Sequence, residues 1–278
     1  MAILPGTGMN GLNRRVKPIM KSALEFIKVD STLINAFPDY PHCAPYLLKV
    51  CTDAAEHCKD LDVARRLHED EEYFQVFKTV PENRLVHLRG KVKRVVQPLV
   101  PLAYGLSPSE GCADLVKQWK DDFHYIYPGA TPETVVMNMP YQSSVVINTL
   151  AAIYFTGAKL FIARNHDAFK KERNHKTRFE VFIPMIALVA TAIDSVLSDW
   201  SLGTHQPMSF QAAVSWPVYV EHIKMLKKIK CDNPAGYYYM LCKLFTLASN
   251  GQAYNKTVVS TDKAFEALDI DNMPVDSD

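Results

Sequence analysis

The chain has 278 residues, 48% hydrophobic and 22% charged, with a formal net charge of +1. That is ordinary globular composition, long enough to bury about three quarters of its unfolded surface without disulfide staples. The near-zero net charge argues against a dedicated nucleic-acid binder, and the scattered Cys43, Cys51, Cys58, Cys112, Cys231 and Cys242 form no zinc or disulfide pattern.

In chain order, "MAILPGTGMNG" has neither the basic start nor the apolar stretch of a signal peptide. Free thiols in a reducing compartment, cytoplasmic or nuclear, are therefore expected, and the sequon at Asn255 is idle. Gly6, Gly8 and Gly11 match a dinucleotide fingerprint. No strand precedes them and no strand–helix series follows, so residues 1–11 are expected to be a flexible N-terminus.

From residue 12 the apolar spacing is helical and strand alternation is nearly absent. Helices are expected at Leu12 to Lys28, a short one capped by Asp30-Ser31, and Pro45 to Lys59. One or two more lie between Val63 and Val80, broken near "HEDEE" (68–72), which reads as a solvated helix start. Glu82 to Gln97 follows Pro81, and another helix runs from Ser109 to about Phe123. Residues 124–140 form the longest irregular stretch, a candidate subdomain seam or functional loop. Later helices are expected at Tyr141 to Phe155, Gly157 to Lys170, Ile183 to Trp200, Ala212 to Lys230 and Pro234 to Ser249. The apolar residues of Ile183 to Trp200 go almost all round and mark the central helix. Residues 170–178 and 202–209 read as loops.

Neither apolar run is a membrane span. Residues 181–193 fall short of the roughly 20 needed, and residues 145–163 are interrupted by Asn148 and Lys159. Beyond Gly251 the packing pattern fades. Residues 262–278 set Lys263 against Asp262, Glu266, Asp269, Asp271, Asp276 and Asp278, so residues 251–278 form an acidic tail behind a basic body.

No P-loop, nucleophile elbow or zinc-protease motif is present, and no metal or cofactor is expected. Two candidate sites remain. At about 100° per residue, the helix at 84–94 puts Arg84, His87, Lys91 and Arg94 on one flank of its apolar face and Arg89 and Lys93 on the other. With basic stretches at 170–178 and 224–230, it can grip a polyanion or merely border a core. Gly90, inside this helix, costs about 1 kcal/mol against alanine and suggests close helix packing. Tyr125 and Tyr127 sit beside Pro128, with Tyr141 and Gln142 further on. They can line a small-molecule pocket or pack with tied hydroxyls.

The series "DEEYF", "RLVHLRGKVKRVV", "YIYP", "PYQ", "IPMIALVATAI", "DWSLG" and "NPAGYYYMLCKLFTLAS" resembles an uncharacterised all-helical domain, a domain of unknown function, of mushroom-forming basidiomycete fungi. The resemblance spans roughly residues 14–250 and implies a single all-helical intracellular domain. It carries over no activity, cofactor or catalytic residue. Where that family often continues Pro-Tyr-Gln with His-Pro, this chain has Ser143-Ser144.

The reading is thus an all-α, single-domain bundle of about ten helices spanning 12–250. Its expected function is non-catalytic interaction or scaffolding, with a protein partner or self-association. The alternatives are a nucleic-acid or polyanion binder through 84–94 and 170–178, and a small-molecule enzyme or carrier at the Tyr125/Tyr127 loop.

Overall fold

A computed structural model describes residues 14–156, 161–173 and 176–254. The expected flexible N-terminus and the acidic segment 262–278 lie outside these residues. The all-α bundle of about ten helices is borne out. Among the described residues the substantial helices are α1 (Val16–Leu33), α2 (Cys43–His57), α3 (Leu61–Glu69), α4 (Glu71–Phe77), α5 (Thr79–Val96), α6 (Leu99–Tyr104), α7 (Cys112–Lys120) and α8 (Ser144–Leu150). Two single turns follow, α9 (Phe161–Arg164) and α10 (His166–Phe169). Then come α11 (Ile183–Ser198), α12 (Ala212–Asp232) and α13 (Pro234–Tyr254).

Three local expectations need correction. No separate helix begins at Asp30-Ser31, because α1 continues to Leu33. The Ser31 hydroxyl donates back to the Lys28 carbonyl at 3.3 Å rather than capping a new helix. The expected helix from Gly157 is reduced, among the described residues, to α9 and α10. The 170–178 loop is instead an antiparallel hairpin, β1 (Lys170–Arg173) with β2 (Lys176–Phe179), in which Lys171 faces Arg178 across the ladder.

The break at "HEDEE" is real and has a clear cause. Asp70 leaves helical geometry, and its side chain accepts the Tyr73 amide at 3.0 Å to start α4. Arg66 holds the other carboxylate oxygen at 2.8 Å.

Two apolar clusters carry the fold. The smaller one packs α1 to α4 and the start of α5 through Ile19, Ala23, Ile27, Leu47, Leu67, Phe77 and Leu85. The larger one surrounds α11, where Met185, Ile186, Val189, Ile193 and Val196 have no exposed surface, as expected for the central helix. Helix α5 joins the two, giving Leu85 to the first and Val92 and Val96 to the second. All six cysteines are free. Among the described residues no helix is long and apolar enough to cross a membrane.

Candidate functional site

The two flanks of α5 have separate fates. Arg89 and Lys93 turn inward and are buried. The Arg89 guanidinium donates to both oxygens of Asp39, at 2.6 and 3.0 Å, and lies 4.9 Å from the Phe37 ring centroid. Lys93 Nζ donates to Asp199 at 2.9 Å and to the Met208 carbonyl at 2.8 Å, while the Met208 amide donates to Asp199 Oδ1 at 3.0 Å. These two cations pin the 35–41 and 199–211 segments against α5. As candidate binding residues Arg89 and Lys93 are accounted for by the interior.

Arg84, His87, Lys91 and Arg94 are exposed. Among the described residues, none of these side chains forms an ion pair with a carboxylate. They line a groove of about 420 Å³ between α5, the C-terminal half of α1 and the 151–156 turn. Lys28 of α1 enters the same groove, its ammonium 5.2 Å from the Phe161 ring centroid. Burial holds the Lys28 pKa below the usual lysine range, and Arg164, Arg84 and Lys91 push it the same way, against Glu25. Among the described residues, cations therefore outnumber carboxylates around the groove, with Glu25 the one acidic side chain acting on Lys28. Its floor is apolar, with Leu88, Val92, Ile153 and Leu188. Sequence reasoning missed Lys28 and Arg164, since nothing local links α1 or α9 to α5.

The other basic stretches do not join this groove. Lys224 pairs with Glu221 and Lys228 with Asp232, both at 2.7 Å. Lys227 and Lys230 face a second cleft, together with Lys171 of the hairpin. In "HEDEE", Glu69, Asp70 and Glu71 are engaged locally by Arg65, Arg66 and Gln75.

The tyrosines form a buried polar chain. Tyr125 and Tyr141 have no exposed surface. The Tyr125 hydroxyl lies 2.8 Å from His222 Nε2, and the Tyr141 hydroxyl 3.2 Å from Nδ1. A neutral imidazole meets both, one nitrogen donating and the other accepting. Burial pushes the His222 pKa down to about 3 and both phenols well above their usual range. The Tyr104 hydroxyl donates to the Tyr125 carbonyl at 2.7 Å, and the Trp119 indole donates to the Tyr104 carbonyl at 3.1 Å. Tyr127 is half-buried, and Gln142 keeps a buried Oε1 without a hydrogen-bond donor. None of the four principal cavities has Tyr125, Tyr127, Tyr141 or Gln142 in its wall. Ser143 caps α8 by accepting the Val146 amide at 3.4 Å. His222 is the member of this network that sequence reasoning missed, because a lone histidine on an amphipathic helix carries no spacing signal.

Gly90 does not sit against a neighbouring helix. A Cβ placed there meets nothing within 4 Å, so the close packing expected at this position is absent. Among the described residues no group of three or more His, Cys, Asp or Glu side chains is arranged to hold a metal ion.

Residues 22–229 match the family model described as "Domain of unknown function (DUF6532)", and the chain belongs to that family. The matched span takes in every residue named for the basic groove and for the buried network. No curated protein and no solved structure matches the chain.

Proposed function

We propose that this member of the DUF6532 family is a non-catalytic interaction protein whose groove along α5 binds a phosphate-bearing chain, with single-stranded nucleic acid as the partner. The carrying observation is the free basic flank: Arg84, Lys91 and Arg94 are exposed, without carboxylate partners among the described residues, and share one groove with Lys28. Phosphate neutralisation by such cations, with release of counterions, supplies most sequence-independent affinity for nucleic acids. The aromatic rings near the groove, Tyr154 and Phe161, are buried, and Phe161 carries Lys28. They offer no platform for stacking bases, so recognition is of the backbone and indifferent to sequence.

The test is charge reversal on the full chain. Arg84→Glu/Lys91→Glu/Arg94→Glu is expected to weaken binding to a labelled single strand at least 30-fold. Lys224→Glu/Lys228→Glu, which changes the paired lysines of α12, is expected to leave it within about threefold. Equal weakening by both variants would reduce the effect to overall charge and remove the groove from the account. Inorganic polyphosphate in a parallel arm separates recognition of any phosphate chain from recognition of a sugar-phosphate backbone.

A second reading, docking of a protein partner or a second copy, has its own observation. Val86, Met208 and Val214 are exposed at 56%, 54% and 68%. Val86 and Met208 edge one shallow depression, and Met208 and Val214 edge its neighbour. An apolar surface shared by two depressions marks interaction more than isolated exposed residues do. Sedimentation of the wild type beside Val86→Asp/Val214→Asp reads this directly: a concentration-dependent dimer lost in the variant supports it, and identical behaviour removes self-association.

A further inference from the structure

The cleft on the opposite side of α1's C-terminal end from the basic groove is built differently. Leu33, Ile34 and Asn35 line the cleft, whereas Lys28, Ser31, Thr32 and Ala36 line the groove. The cleft encloses about 480 Å³ between the end of α1, residues 180–184, α12 and the start of α13. That is within the range of small-molecule sites. Its walls are largely apolar, among them Phe182, Trp216, Ile223 and Leu241.

Its charges are selective. Lys227 and Lys230 lie three apart on one face of α12, and Lys171 joins them from β1, where its ammonium sits 5.3 Å from the Phe182 ring centroid. Among the described residues, none of the three forms an ion pair with a carboxylate. Elsewhere on the same helix, Lys224 and Lys228 each have one at 2.7 Å. Glu180 is in the cleft wall but is buried, at 4% exposed, and engaged with a partner of its own. Three ammonium groups against that one carboxylate leave the cleft cationic. The Tyr219 hydroxyl oxygen accepts the Ala36 amide at 3.0 Å.

We infer that this cleft is a binding site for a medium-chain fatty carboxylate, its alkyl chain on the apolar wall and its head group held by Lys171, Lys227 and Lys230. The assignment rests on charge complementarity combined with an apolar interior. A neutral alkyl chain leaves the lysines unused, and a compact inorganic anion leaves the wall unused. It is independent of the α5 groove, and either can fail without the other.

Calorimetric titration of the full chain with octanoate, decanoate and dodecanoate tests it. Affinity is expected to rise about two- to fourfold per added methylene, as buried alkyl surface requires. Decanol, with the same chain and no charge, is expected to bind at least tenfold more weakly than decanoate. Lys227→Glu/Lys230→Glu, at two exposed positions, is expected to cost at least tenfold in decanoate affinity, and Lys224→Glu/Lys228→Glu to cost less than threefold. Any one of three results overturns the site: no carboxylate binding by the wild type, equal affinity for decanol and decanoate, or decanoate affinity unchanged by Lys227→Glu/Lys230→Glu. The comparison of decanol with decanoate uses unaltered protein, so it decides the matter even if a variant folds poorly.

Discussion

Arg84 and Arg89 share one helix and do opposite work. Arg89 is sealed against Asp39 and Phe37, while Arg84 looks into an open groove. Removing one member of a buried ion pair leaves an uncompensated charge and costs about 3–5 kcal/mol. Arg89→Ala is therefore expected to lower the melting temperature sharply, whereas Arg84→Ala leaves it nearly unchanged. Parallel thermal melts of the two variants check this, and equal melting temperatures would contradict the division. His222 gives a second residue-scale prediction. Its folded pKa, near 3, lies below the ordinary histidine value of 6.5, so between those pH values the unfolded chain binds a proton that the folded chain refuses. Stability is thus complete above about pH 6.5 and declines as pH falls, by up to about 1.4 kcal/mol per pH unit. The groups facing the ring are the Tyr125 and Tyr141 hydroxyls and the Phe123 ring, none of them charged in this range. Asp194, whose pKa burial raises above 3.8, acts in the opposite sense as pH falls through its raised pKa. Urea midpoints at pH 7, 6 and 5 are expected to fall for the wild type and to stay flatter for His222→Gln; matching slopes would assign the acid sensitivity elsewhere. Sequence showed which residues flank the apolar stripe of α5. It could not show which flank finds carboxylates, because Asp39 and Asp199 are supplied by distant segments.

At the scale of elements, helical periodicity located most helices because their apolar faces are one-sided or, in α11, complete. It failed at the hairpin, whose residues are mostly charged and show no alternating apolar face. Its last residue carries an aromatic contact, with the Phe179 and Phe245 rings stacked at 5.2 Å between centroids. It also failed at the end of α1, where Ser31 had two ways to use its hydroxyl and only packing decided between them. Helix α5 offers the clearest element-scale test. Gly90 is helical, with open space where a Cβ would go. Replacing it by alanine is expected to raise stability by about 0.5–1 kcal/mol, since glycine is the poorer helix former. Chemical denaturation of Gly90→Ala checks this, and a loss of stability would mean that the glycine is needed in the folded helix. Affinity for a single strand is expected to stay within about threefold, because the charged flank is unchanged.

For the whole molecule, the bundle and its central helix were legible, but the distribution of charge in space was not. Three basic stretches along the chain resolve into a groove at α5 and a cleft at α12, on opposite sides of the end of α1. That split depends on how α1, α5, α12 and the hairpin pack, and sequence spacing holds no record of it. One long-range relation follows. The 151–155 turn packs on α13 through Phe155 and Phe245, 5.1 Å between ring centroids, and the same turn walls the basic groove with Ile153 and Tyr154. Six acidic residues follow α13 in the sequence, between positions 262 and 278. Those residues are expected to compete with an external polyanion for the basic groove. A 1–260 truncation is expected to bind a single strand several-fold more tightly than the full chain, with the difference fading as salt rises. Equal affinities at low salt would defeat the competition.

The most direct test of the groove is the salt dependence of single-strand binding, measured for the wild type and for Arg84→Glu/Lys91→Glu/Arg94→Glu between 50 and 300 mM salt. Each phosphate neutralised contributes about 0.7 to the slope of log affinity against log salt for a single strand. With Lys28, Arg84, Lys91 and Arg94 engaged, the wild type is expected to show a slope of about −3 and the variant, which keeps only Lys28, a slope of about −0.7 or shallower. Equal slopes for the two proteins, or wild-type binding indifferent to salt, would contradict the assignment of α5 as an anion-gripping helix.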